Sequence, residues 1–256
     1  VATKPTRVQD NGWFTQAWGP KFDGSSVIQF DGVARPYSQT QNKFDAFYQT
    51  GTSLTNSLAF TGGNDKQSFR LGLSDLRGTS ILPKSGFDRT NVSLAANSKF
   101  GKKLTLDAKV LYSLENNKNR PTLSDSPGNA VQSVWKVPGN IDITSLRGDP
   151  NKPGAIPSTG VGADVLAYWG RVPGEEWQLN PVGDQWSTGA YWGAYQFINS
   201  DKRDRVNASG RLRYDITSWL YAEGQIGLDK YNRRGQALTP QGTGYNRPGS
   251  INEDIN

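Results

Sequence analysis

The sequence predicts an all-β chain: an antiparallel transmembrane β-barrel segment with long extracellular loops. Three observations carry this. The first is alternation. In Leu104, Leu106, Ala108, Val110, Tyr112 and Leu114, apolar residues alternate with Thr105, Asp107, Lys109, Leu111 and Ser113. Side chains on a strand point to opposite faces with period two, so such a run has one apolar and one polar face. The second is length. Runs of roughly ten residues suit a tilted strand crossing a bilayer, whereas strands of soluble domains average about 5–6. The third is composition. Hydrophobic residues make up only 34% of 256, with a mean hydropathy of −0.66. A wall with a wet interior accounts for this, because half of every strand faces polar surroundings.

Residues 1–51 show no sustained periodicity and read as an extracellular loop region. It contains the small strand Val27-Ile28-Gln29-Phe30 and a helical turn near Lys43–Thr50. Residues 52–116 hold wall strands one to four, broken by Gly62-Gly63-Asn64-Asp65, by the Pro83-containing stretch 78–86 and by Gly101-Lys102. Residues 117–202 form a long Trp/Gly/Pro-rich extracellular loop. Strands five and six occupy 203–232, joined at Ile216–Ser218. The tail 233–256 lacks an apolar stripe and reads as a further extracellular loop.

The connections thus run short, medium, short, very long, short. Alternate connections of an up-and-down sheet lie at the same end, so the tight turns share one side and the long ones the other. That asymmetry belongs to outer-membrane barrels, and six strands fall short of their minimum of about eight. The expectation is a piece of a larger barrel.

Composition also excludes. The chain has no Cys and no His, which removes disulfides, thiolate metal sites and the commonest general base. It has no Met either, which points to a processed chain or an internal piece. The net charge of +6 is scattered among acids rather than clustered, so nucleic acid is not the expected partner. Eight Trp, ten Tyr and ten Phe argue against disorder. No apolar run reaches the length of a membrane helix.

Several phrases together carry a family resemblance. Trp18-Gly19-Pro20-Lys21-Phe22-Asp23-Gly24 is followed by Phe47-Tyr48-Gln49-Thr50-Gly51-Thr52-Ser53-Leu54-Thr55-Asn56, then by Gly62–Leu71, Ile81–Arg89 and Tyr214–Leu220. In order and spacing they resemble the early barrel of SusC/RagA-type TonB-dependent outer-membrane transporters, most densely over 44–121. The resemblance implies a 22-stranded barrel with an N-terminal plug in the bacterial outer membrane. It implies import of oligosaccharides or peptides, energised by TonB and covered by a SusD-like lipoprotein lid, with other outer-membrane subunits as further partners. The plug, the TonB-interacting segment and most of the barrel lie outside these residues, so transport belongs to a parent protein.

No enzymatic role, cofactor or metal is expected. Glu175-Glu176 sits in a Pro-Gly stretch and reads as a solvated pair. Asp201, Asp204 and Asp215 lack calcium-loop spacing and are expected to balance Lys202, Arg203 and Arg205. Gly62-Gly63 lacks the helix and Lys-Ser/Thr of a phosphate loop and reads as a hairpin turn. The candidate substrate or lid contacts are Trp135, Tyr168, Trp169, Trp177, Trp186 and Trp192, whose rings suit sugar faces; packing within the loop or an aromatic girdle is the favoured explanation of them. The competing functional class is a soluble all-β glycan-binding module using the Trp-rich segment 135–192.

Overall fold

The computed structural model describes residues 19–29, 33–123, 126, 128–147, 189–240, 243 and 249–255. Among these, a short hairpin of β1 (Ser26–Ile28) and β2 (Ala34–Pro36) precedes helix α1 (Lys43–Phe47). Then come β3 (Thr52–Gly63), β4 (Gln67–Thr79), β5 (Gly86–Phe100) and β6 (Leu104–Lys118). Helix α2 (Ala130–Lys136), a 3-10 turn (Ile143–Arg147) and helix α3 (Ala190–Tyr195) follow. The chain returns to the sheet in β7 (Ile198–Asp215), β8 (Tyr221–Thr239) and β9 (Ser250–Ile255). Strands β3 to β9 form one antiparallel sheet in which each strand pairs with the next in sequence. The fold is all-β, as the alternation predicts.

The sheet is longer and wider than the hydrophobic alternation indicates. β6 runs to Lys118, β7 begins at Ile198 and β8 continues to Thr239, where a loop is expected from 117 to 202 and again from 233. The tail supplies a seventh strand, β9. The reason is physical. Apolar alternation marks the part of a strand whose outer face is dry, whereas the backbone ladder continues for as long as hydrogen bonds and cross-strand pairs support it. Asp201, Arg203 and Arg233 carry the ladder onward as partners of Arg120, Glu115 and Asp201.

The register reports tilt. The last paired residues of the three hairpins are Gly63/Ser68, Phe100/Leu104 and Asp215/Tyr221, stepping along the sheet by three residues and then by one. If the turns lie level, this is about one residue per strand. A rise of ~3.4 Å over a spacing of ~4.8 Å then gives a tilt of about 35°, the slope of membrane barrels.

The water-excluded core is not in the sheet. Phe47, Leu82, Val134, Val137, Ile141 and Leu146 are buried together in a cap built at the end of the sheet that carries the long connections. Among the described residues of β3–β9, the one buried side chain is Asp88, which pairs with Lys118 and lies 3.5 Å from Arg77. A sheet whose apolar side chains remain uncovered while a carboxylate is buried is inside-out relative to a soluble domain.

Candidate functional site

The register sorts the wall into two faces. Leu71 pairs with Phe60 and Leu94, Leu94 with Val110, Val110 with Ala208, and Ala208 with Leu228. Directly paired residues share a face, so one apolar row crosses six strands. Leu94, Leu106 and Leu212 are 45%, 36% and 48% exposed, so no core covers them among the described residues. On β6 the apolar positions run from Leu104 to Leu114. Ten steps of ~3.4 Å at the tilt above give a band of about 25–28 Å, the height of the lipid-facing band of outer-membrane barrels. Above it the same face turns polar: Asp75 accepts from Thr90 Oγ1 at 2.7 Å and pairs with Arg77 at 2.8 Å. Below it, Phe100 and Tyr214 stand at the edge, and Trp219 lies in the short turn, 79% exposed.

The opposite face carries a ladder of ions. Arg211 contacts Asp107 at 2.6 Å, and Asp107 also accepts from Asn97 at 2.6 Å. Arg203 pairs with Glu115 and Arg205 with Asp229, each across neighbouring strands. Arg213 contacts Asp215 at 2.9 Å and lies 3.9 Å from the Tyr221 ring centroid. Small residues, Ser57, Ala59, Gly72, Ser93 and Ala95, keep the β3–β5 part of this face shallow. Such a face can line a wet space and hold polar solutes in transit. The groups in these pairs are balanced against each other rather than poised for acid–base chemistry.

The three aspartates expected to balance their sequence neighbours find other partners. Asp201 takes Arg120 and Arg233, Asp204 accepts from Asn232 at 3.0 Å, and only Asp215 uses a near neighbour, Arg213. Lys202 and Arg203 point to opposite faces, so charge balance runs across strands rather than along them. Gly62 and Gly63 close β3 above the Asn64–Lys66 turn, where Asn64 Oδ1 accepts from the backbone N–H groups of Lys66 and Gln67 at 2.9 Å. A Cβ on Gly63 would stand 2.5 Å from the Gln67 carbonyl oxygen, which is why glycine is needed there.

The cap ties distant segments together. Asn42 caps α1 by accepting from Phe44 N–H at 3.0 Å, and Asn129 caps α2 by accepting from Val131 N–H at 3.0 Å. Lys43 Nζ donates to the carbonyls of Trp135 and Val137 at 2.8 and 2.6 Å, closing the C-terminal end of α2. Burial pushes this ammonium below the usual lysine range and pushes the Tyr48 and Tyr191 phenols up. Burial acts to raise the Asp142 carboxyl, but bonds from Gln41 Nε2, Thr144 Oγ1 and the Thr144 N–H hold it below the usual range. A cavity of about 200 Å³ lies beneath the cap, between Arg120, Thr122, Phe197 and Asn199.

The structure divides the aromatic candidates. Trp135 on α2 is 63% exposed, its ring 4.8 Å from Phe44. Trp192 on α3 is 6% exposed and donates from Nε1 to Thr243 Oγ1 at 3.1 Å, so its faces are spent on packing. Tyr168, Trp169, Trp177 and Trp186 lie outside the described residues, as does Glu175-Glu176. Helix α1 falls on the helical turn expected near Lys43–Thr50, whereas α2 and α3 were missed by sequence reasoning, although Ala130, Val134, Val137 and Ile141 recur at helical spacing after Asn129.

No family model and no curated protein matches the sequence. Solved structures do. One chain of the RagAB peptide importer in the "open-open" state is 16% identical, with a TM-score of 0.58 over 83% of this chain and 21% of that one. In the "closed-closed" state the values are 14%, 0.59, 91% and 23%, and in the RagAB peptide transporter 14%, 0.60, 91% and 23%. The likeness establishes a shared fold, and the chain spans about a fifth of the length of the chains it resembles.

Proposed function

We propose that these residues are a wall segment and its external cap from a TonB-dependent nutrient importer of the SusC type, in the bacterial outer membrane. The observation that carries this is the two-faced sheet: an apolar face about 25 Å tall, backed by an ion-paired polar face, in a fold shared with RagAB importer chains. Water does not cover so broad an apolar surface without cost, whereas lipid covers it readily. The long edge of β3 carries no partner strand among the described residues, and β9 bounds the other side. Unpaired backbone groups in lipid cost several kcal/mol each, so further strands of a parent barrel close both edges.

On this reading the polar face lines the lumen and the plug, and the cap faces outward beneath a SusD-like lipoprotein lid. TonB engages parts of the parent outside these residues. The RagAB neighbours favour peptides as cargo over oligosaccharides. Among the described aromatic candidates, the exposure of Trp135 on the cap supports a contact with lid or cargo. The described aromatics lend a glycan-binding module little support, because Trp192 is buried and the Trp135 ring packs against Phe44.

The test is purification of the parent polypeptide from its source in mild detergent, followed by denaturing intact mass. A chain on the order of a thousand residues is expected, from the share of the neighbours' length that this segment covers, with a lipoprotein co-purifying. A 28.1 kDa monomer that stays folded without detergent would overturn the proposal.

A further inference from the structure

Two like-charged pairs lie in consecutive register positions of β7 and β8, on opposite faces. Arg203 stands directly opposite Arg233, and Lys202 directly opposite Arg234. Like charges directly opposite one another destabilise a sheet unless something neutralises them. On the inner face this is done within the chain: Arg203 has Glu115, while Arg233 lies 3.5 Å from Asp201 and 3.9 Å from Asp254. On the outer face no ion pair reaches Lys202 or Arg234 among the described residues. The acids there are Asp204, occupied by Asn232 at 3.0 Å, and Glu253, set diagonally from Arg234 across β8 and β9. Lys230 adds a third exposed cation to the same face, opposite Val206.

Height decides what the missing anion is. Tyr214 and Ala222 form the lowest outward pair of β7 and β8, and Lys202 and Arg234 lie twelve residues further along each strand. At ~3.4 Å per residue and a tilt of about 35°, the pair stands about 33 Å above that row, some 8 Å beyond a 25 Å apolar band. The polar layer on each side of a bilayer core is about 5–8 Å thick. Lys230, eight residues above Ala222, stands at the top of the apolar band and lifts its ammonium into the same layer.

We propose that Lys202, Arg234 and Lys230 form a site on the lipid-facing side of the wall for the phosphate of an anionic lipid headgroup. The site rests on the membrane reading above. The lipid supplies the counter-charge that Glu115 and Asp201 supply inside, and it holds the upper ends of β7 and β8 together where the cap begins.

The test uses the full-length parent transporter, delipidated and returned to nanodiscs of phosphatidylcholine with or without phosphatidylglycerol. Native mass spectrometry measures the lipid retained. With each surface cation contributing a factor of about five, Lys202→Gln/Arg234→Gln weakens the preference for phosphatidylglycerol about 30-fold. Lys66→Gln/Lys102→Gln, the same charge change at the opposite rim, leaves it intact. Thermal stability supplies a second readout, because relief of repulsion raises the unfolding midpoint of the double variant in pure phosphatidylcholine and loss of the lipid contact lowers it with phosphatidylglycerol. Equal losses in the two double variants, no loss in either, or midpoint shifts of one sign in both lipids would overturn the site. A parent that does not insert as a barrel refutes the membrane reading instead.

Discussion

Placing an arginine on each face of β5 separates a membrane wall from any water-soluble sheet. Leu94 and Ser93 are neighbours in sequence and point to opposite faces, in rows with Val110 and Leu111 respectively. Leu94 lies four residues below Thr90, where the outer face turns polar, so its side chain sits about 11 Å inside the apolar band and near its middle. An arginine there faces hydrocarbon and costs about 2–4 kcal/mol. Ser93→Arg faces the lumen row, where its direct partners Gly72 and Leu111 are uncharged and Arg70 and Lys109 lie diagonally, so the substitution costs no more than about 1 kcal/mol. The assay is reversible unfolding of the parent barrel from lipid vesicles with guanidinium, comparing the two variants at equal slope. Equal and small effects would place water on both faces and refute the reasoning. A cost for Ser93→Arg larger than that for Leu94→Arg would invert the faces.

Three further outcomes are expected. Lys43→Met leaves the Trp135 and Val137 carbonyls without their ammonium and costs the cap about 1–2 kcal/mol, given the half-exposed setting, read as faster proteolysis of the 33–50 segment with the barrel intact. Asp142 has its folded pKa depressed, so its contribution is present above the unfolded carboxylate value of about 3.9 and is lost as pH falls through the lower folded value. The cap therefore loosens to pepsin below about pH 4, and Asp142→Asn flattens that dependence; an unchanged profile in the variant would contradict the assignment. Gly63→Ala forces a Cβ to within 2.5 Å of the Gln67 carbonyl oxygen and destabilises the β3–β4 hairpin by about 1–3 kcal/mol, measured by hydrogen exchange at Ser68 and Phe69.

What was legible in the sequence follows from what a period-two pattern encodes. Leu104 to Leu114 announces a strand and its two faces, because one side of it is apolar throughout. Lys202, Asp204, Asn232 and Arg234 announce nothing, because beyond the apolar band both faces are polar and the ladder rests on backbone bonds that any residue can make. β7 and β8 therefore outlast their hydrophobic signal, and β9, with Ile251 and Ile255 set among Asn252, Glu253 and Asp254, never develops one. The partners of the charged residues were hidden for the same reason: Asp107 meets Arg211 from a strand 104 residues away in sequence, and only the register brings them together. In the cap, the burial of Trp192 agrees with the favoured reading of loop packing over a ligand platform. Its hydrogen-bond partner, Thr243, lies 51 residues further along the chain, beyond the reach of a local reading.

The most direct test of the central claim exploits the absence of cysteine from these 256 residues, with any cysteine elsewhere in the parent replaced. Single cysteines from Thr105 to Ser113, spin-labelled in the parent barrel in vesicles, report accessibility to oxygen, which partitions into lipid, and to a nickel chelate, which stays in water. The account predicts strict alternation: Leu106, Ala108, Val110 and Tyr112 reached by oxygen and shielded from nickel, and Asp107, Lys109, Leu111 and Ser113 the reverse. Labels at 106–112 that are shielded from both reagents would place that face in a protein core, and nickel access on both faces would place the sheet in water; either result contradicts a lipid-facing wall.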